Sequence, residues 1–207
     1  LDEIPFLDYD ILNLEGYKLN PTSSRYAVSD NYMTKLDDDD ELEKAIGKNV
    51  ESEMPYSMPI MTSRGCPFKC TFCASHKAHG RDMRYNSIER VSKDLEIMRK
   101  KYGINGVVIQ DDHFMGGKRR PYEVVEAIQT HKLTMFFQNA LAIYALDYEF
   151  LKLLKDSGVT EIVLPIESGS GRVLKDLIKK PLRQDLIPKV VGNCRKVGLY
   201  SDCNIII

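Results

Sequence analysis

The stretch Thr62-Ser63-Arg64-Gly65-Cys66-Pro67-Phe68-Lys69-Cys70-Thr71-Phe72-Cys73 decides how the rest of the chain is read. Its three cysteines stand at spacing C-x3-C-x2-C, directly after a short apolar run. Gly65 and Pro67 break regular structure there, so the cysteines sit on a loop. An odd set of thiols on a tight loop leaves one unpaired if disulfides form, so the pattern suits a metal or a cluster better. Three thiolates leave a four-iron cluster with one iron unligated by protein, and an open iron can bind a substrate. The competing possibility is a structural Cys3His zinc site with His76 or His79 as fourth ligand.

Outward from this loop the chain alternates between two periods. Pro59-Ile60-Met61-Thr62 reads as a first strand. Asn86-Ser87-Ile88-Glu89 predicts a helix start capped by Asn86, with Val91, Leu95, Met98 and Tyr102 at helical spacing and Gly103 as the stop. Gly106–Gln110 is a continuous apolar run, the mark of a strand buried on both faces. Pro121 opens the next helix, with Val124, Val125 and Ile128 inward. Leu133–Phe137 is a third strand, and Asp147 caps a helix that Ser157-Gly158 closes. Thr160–Ile166 is a fourth strand, in which Pro165 predicts an irregularity because it removes a ladder donor. Val173, Leu174, Leu177 and Ile178 mark a helix, Asp185 to Gly198 another, and Ser201–Ile207 a fifth strand.

The order β-α-β-α-β-α-β-α-β with short loops implies an α/β fold with a parallel sheet and right-handed crossovers, either doubly wound or barrel-like. Such domains place their sites at the C-terminal strand ends. Polar groups gather there: the cysteine loop after the first strand, Gln110-Asp111-Asp112-His113 after the second, Gln138-Asn139 after the third, and Glu167-Ser168-Gly169-Ser170 after the fourth. All four would share one rim.

Residues 1–57 lack a sustained period and form a lead-in or linker segment, distinct from a domain at 58–207. Ile11, Leu12 and Leu14 are expected to pack as a short helical turn, Asn20–Ser24 reads as a loop, and Asp37–Glu41 as a solvated charge run. The first residue is Leu1, which points to a piece of a longer protein. Five cysteines without a secretory signal place the chain in the reducing cytosol. Cys194 and Cys203 stand alone in apolar settings and are expected to be buried small hydrophobes. No window approaches a membrane span. The net charge of −1 conceals a balance of −9 over residues 1–60, +6 over 61–101 and +2 beyond. The basic zone coincides with the cysteine loop and suits an anionic ligand or cluster, while the near-neutral whole gives little support for a nucleic-acid surface.

Cys66-x3-Cys70-x2-Cys73, with the aromatic Phe72 before the last cysteine and a strand ahead, resembles the signature of the radical S-adenosylmethionine enzymes. The resemblance covers residues 58–207. It implies a TIM-barrel-like partial (β/α)6 barrel, here truncated after the fifth strand. It also implies that Cys66, Cys70 and Cys73 hold three irons of a 4Fe–4S cluster whose fourth iron chelates S-adenosylmethionine, to be cleaved to a 5′-deoxyadenosyl radical by one electron. By the same resemblance Phe72 lies near the adenine, Asp111 or Asp112 receives the ammonium of the methionine moiety, and Glu167 and Ser168 face the ribose hydroxyls. Gln138 and Asn139 would touch ligand or substrate. Arg172, Lys179 and Lys180 are read as a solvated helix face, with the methionine carboxylate as their alternative.

Gln110–Phe114, Ile166–Ser170, Cys194–Leu199 and the lead-in Ile4–Asp10 are similar to the subgroup with an N-terminal cobalamin-binding domain. That implies methyl transfer to an unactivated carbon or a ring-forming rearrangement, a small-molecule or peptide substrate, and an electron donor such as flavodoxin or ferredoxin. Cobalamin itself would be held by a domain absent from this chain. The rival readings are a radical methylthiotransferase or other tRNA-modifying enzyme, and a non-catalytic zinc module.

Overall fold

The computed structural model describes residues 1–12, 14 and 56–206. The apolar run Gly106–Ile109 forms a strand, β4, at the centre of a parallel three-stranded sheet, with β1 (Ser57–Ile60) on one side and β5 (Thr134–Phe137) on the other. Val107 and Ile109, on one face, are buried, while Val108 on the other is half-buried. Two further parallel strands, β6 (Glu161–Glu167) and β7 (Tyr200–Ile205), form a separate pair. Among the described residues no ladder joins β5 to β6. The bond from the Leu141 N–H to the Val163 carbonyl, 2.9 Å, bridges the gap. The expected single parallel sheet is thus two parallel groups over one core, in which Met135 packs in the same cluster as Ile162 and Leu164.

Helices cross over between the strands: α2 (Ile88–Tyr102), α3 (Arg120–Thr130), α4 (Tyr148–Asp156) and α5 (Leu186–Val197), after a single turn, α1 (Ser75–Ala78). Their inner faces are the apolar positions read from spacing, with Val91, Leu95, Phe150, Leu151 and Leu154 fully buried. Asp147 caps α4 by accepting from the Phe150 N–H at 2.8 Å. Gly103 and Gly198 close α2 and α5 in the left-handed conformation. The cap of α2 is Ser87, not Asn86: Ser87 Oγ accepts from the Arg90 N–H, while Asn86 reaches back to the Met61 carbonyl. Val173–Ile178 is a π-helical turn rather than a regular helix.

The register of β6 against β7 slips between Pro165 and Glu167, the irregularity that Pro165 predicts. Glu167 emerges from it with φ +63°, a conformation that side chains other than glycine seldom adopt.

Residues 1–12 lie along α2. Arg90 holds the Asp2 and Ile4 carbonyls, Asp2 accepts from the Ser87 N–H, and Phe6, Tyr9 and Tyr102 pack ring against ring. The helical turn is at Tyr9–Ile11, but Ile11 and Leu12 are exposed. The aromatics make the contacts instead because they reach Tyr102. The loop Asn20–Ser24 and the run Asp37–Glu41 lie outside the described residues. Cys194 is fully buried as expected, whereas Cys203 is exposed. It sits on β7, which among the described residues pairs only with β6, and residues 202–205 are exposed.

Candidate functional site

The cysteine loop is pinned at both ends. A two-residue antiparallel clasp, β2 (Ser63–Arg64) with β3 (Arg84–Tyr85), closes residues 65–83 into one excursion from the end of β1. Inside it, Gly65 has φ +95°, and a Cβ there would lie 2.4 Å from the Asp82 carbonyl oxygen. Only glycine fits. Gly65→Ala is therefore expected to lose about 1–2 kcal/mol from backbone strain alone, with further loss from the backbone clash. Thermal unfolding of the apo protein checks this, and iron retention should fall with it.

Asp112, just past the end of β4, ties the loop to the sheet. Its Oδ2 accepts from the Gly65 N–H at 3.2 Å and pairs with His79 Nδ1 at 2.7 Å. The guanidinium groups of Arg81 and Arg84 donate to the Phe68 and His79 carbonyls. The Cys73 N–H donates to the Cys70 carbonyl at 3.2 Å, a tight turn that brings the last two cysteines together. Thr71, between them, donates from its N–H to the Ile178 carbonyl at 2.9 Å and from its hydroxyl to the Leu177 carbonyl at 3.0 Å. The π-helical turn thereby straps the loop.

Cys66, Cys70 and Cys73 all face one cavity of about 300 Å³. Phe72, Asp112, Asn139 and Glu167 line it too. Asp111 does not. It is buried, and its carboxylate accepts from the Thr62 N–H, the Thr62 hydroxyl and the Ser63 hydroxyl, each at 2.6 Å. Asp111 thus holds the end of β1 beside that of β4, and burial, opposed by these hydrogen bonds, pushes its carboxyl above the ordinary value of 3.8. Gln138 and Ser168 also stand outside the cavity lining. Ser168 Oγ accepts from the Ser170 N–H at 3.2 Å.

Phe68, His113 and Tyr144 also line the cavity, and the sequence assigns none of them a role. Phe68 stacks edge-on against His113 and Tyr144, and His113 Nε2 lies 2.9 Å from the Tyr144 hydroxyl. Burial holds His113 below its ordinary value, which keeps the imidazole neutral at pH 7. His113 belongs to the polar group after the second strand, so its position was visible although its role was not. Lys180 lines the cavity as well. It is not on a solvated face: its Nζ lies 3.2 Å from Glu167 Oε1, with the two side chains 15% and 8% exposed. Arg172 and Lys179 stand outside the lining.

The donor set can be tested for a cofactor. Three free thiols, half-buried and open to a common cavity, suit an iron–sulfur cluster. Burial pushes the Cys66 and Cys70 thiols up. The Phe68 N–H opposes this at Cys66, and the Lys180 charge opposes it at Cys70. Among the described residues no three His, Cys, Asp or Glu side chains converge to hold a single metal ion. His79, a proposed zinc ligand, is engaged by Asp112, while His76 does line the cavity. The residues fit a cluster better than one tetrahedral zinc ion.

Residues 60–207 match the model of the Radical SAM superfamily, and the chain belongs to that family of enzymes. It is 30% identical over 201 residues to cytidylyl-2-hydroxyethylphosphonate methyltransferase of Streptomyces wedmorensis, which covers 97% of this chain and 33% of that protein. Its fold is similar to that of TsrM from Kitasatospora setae, a radical S-adenosylmethionine methyltransferase (TM-score 0.59, 17% identity, 71% of this chain and 29% of that one). It is also similar to OxsB, a cobalamin-dependent S-adenosylmethionine radical enzyme (TM-score 0.60, 21% identity, 72% and 23%). The chain spans between about a quarter and a third of the length of these relatives. No helix among the described residues is long and apolar enough to cross a membrane.

Proposed function

We propose that this chain is the radical-generating core of a cobalamin-dependent methyltransferase, with the form of a partial (β/α)6 barrel. The observation that carries the reading is the convergence of three thiols, Asp112 and Glu167 on one cavity at the strand ends. Cys66, Cys70 and Cys73 would hold a 4Fe–4S cluster. When bound, that cluster supplies the electron that cleaves the sulfonium of S-adenosylmethionine to methionine and a 5′-deoxyadenosyl radical.

The chain's own residues bind and orient. The Asp112 carboxylate accepts hydrogen bonds from the ammonium of the methionine moiety, charge-assisted and so stronger than neutral ones. Glu167, brought round by its left-handed backbone, faces the cavity where ribose hydroxyls would lie. Phe72, half exposed, offers its ring to the adenine, and Asn139 adds an amide. Asp111 acts through the fold, by holding β1 and its loop to β4. Phe68, His113 and Tyr144 wall the cavity and limit water. Methyl transfer is preferred to ring-forming rearrangement because the relative that spans 97% of this chain is named a methyltransferase.

The test uses the full-length protein, reconstituted anaerobically with iron, sulfide and cobalamin. Given S-adenosylmethionine labelled in its methyl group and a reductant, it should release 5′-deoxyadenosine and pass label to bound cobalamin. Formation of 5′-deoxyadenosine without cobalamin binding or movement of label would reject methyl transfer while leaving the radical core in place.

A further inference from the structure

Lys180 is the only lysine or arginine lining the cavity among the described residues, and its placement is costly. A lysine in solvent keeps its hydration. This one is drawn into a buried pair with Glu167, where both charges lose water. Left-handed backbone aims both partners: Glu167 itself has φ +63°, and Lys179, directly before Lys180, has φ +57°. The Lys180 N–H closes the turn onto the Leu174 carbonyl at 2.8 Å. The π-helical turn that ends there also holds Thr71, the residue after Cys70, by two hydrogen bonds. π-Helical insertions of this kind are frequent at functional sites. The strap that grips the cysteine loop is thus the element that delivers the ammonium.

We propose that Lys180 is a positioning residue for the iron centre: paired with Glu167, it fixes a positive charge on the Cys70 side of the cavity and so sets the reduction potential of the cluster. The inference rests on the proposed cluster at Cys66, Cys70 and Cys73. Reduction adds one negative charge to a cluster, so a nearby cation favours the reduced form and a nearby anion disfavours it. Lys180 follows directly on the turn whose Leu177 and Ile178 carbonyls hold Thr71, the residue after Cys70, so its ammonium enters the cavity from that side.

The test is a potentiometric titration of the anaerobically reconstituted protein, followed by electron paramagnetic resonance, with iron content measured in parallel. Lys180→Met should retain the cluster and shift its potential to more negative values. Lys180→Arg, which keeps the charge, should stay near wild type. Glu167→Gln should shift the potential to more positive values. Opposite signs from two neighbours exclude general loosening of the loop. Loss of iron from Lys180→Met but not from Lys180→Arg would also support the charge. Full iron with an unshifted potential in Lys180→Met overturns the inference, and so does iron loss from both lysine variants or a Glu167→Gln shift in the same direction as Lys180→Met. Wild-type protein that takes up no iron would instead remove the proposed function itself, and the inference with it.

Discussion

Replacement of Cys66, Cys70 or Cys73 by alanine, one at a time, is expected to abolish cluster uptake. S-adenosylmethionine cleavage should then fall below about one-hundredth of wild type, beyond the 10–100-fold cost of losing an outer-shell partner. In the proposed site each cysteine would supply a thiolate that no other side chain lining the cavity can replace. His76 is the nearest alternative in kind, but the Cys70–Cys73 turn and the Thr71 strap fix the loop independently of it. The controls are internal. Cys203→Ser, on the exposed face of β7, should retain full iron, because that thiol is remote from the loop in sequence and outside the cavity. Cys194→Ala should retain iron too, while losing some stability from its buried site. Iron content and the visible spectrum after anaerobic reconstitution measure all five. Full iron in any of the three loop variants would mean that the loop is not the cluster site.

Asp111→Ala should be the most damaging change outside that triad. The carboxylate accepts from three buried donors at 2.6 Å each, and alanine strands all three. A buried donor left unsatisfied costs about 1–3 kcal/mol. Even after allowing for the desolvation that the carboxylate no longer suffers, the loss is roughly 3–6 kcal/mol, against a total of about 5–15 kcal/mol for an ordinary domain. Denaturant unfolding of the apo protein measures it. Asp111→Asn keeps an acceptor and should lose far less.

The same pair reports on pH. The folded-state pKa of Asp111 is raised above 3.8, with burial as the leading cause. The folded protein then binds more protons than the unfolded chain in the window between the two values, so stability falls as pH rises through it. Asp111's contribution is fully present below 3.8 and is lost as pH passes the raised value. Wild type should therefore lose stability relative to Asp111→Asn as pH rises across that window. A gain would show that the three hydrogen bonds outweigh burial.

The parallel strands and long helices were legible because each writes a period: β4 a continuous apolar run, α2 and α5 apolar positions at helical spacing that end in glycine. The rim was legible because polar residues collect after strands. What escaped has specific causes. The clasp of Ser63–Arg64 with Arg84–Tyr85 is two residues on each side, too short to show alternation. Asp111 and Asp112 were indistinguishable as letters, yet successive residues leaving a strand point to opposite sides. One is buried against Thr62 and Ser63, and the other faces the cavity. Lys180 read as solvated because a π-helical turn and a left-handed residue redirect it, and neither leaves a periodic trace. Asn86 and Ser87 are both good caps, and the choice is made by distant groups: Asp2 takes the Ser87 N–H and the Met61 carbonyl takes the Asn86 amide.

The central claim is that the cysteine loop carries a cluster with an iron open to S-adenosylmethionine. The electron paramagnetic resonance spectrum of the reduced, reconstituted protein, recorded with and without S-adenosylmethionine, tests it most directly. The expected spectrum is that of a reduced 4Fe–4S cluster, with about four irons per chain, whose line shape changes when S-adenosylmethionine is added. A signal unaffected by S-adenosylmethionine, or a colourless protein that holds one zinc and no iron, would contradict it.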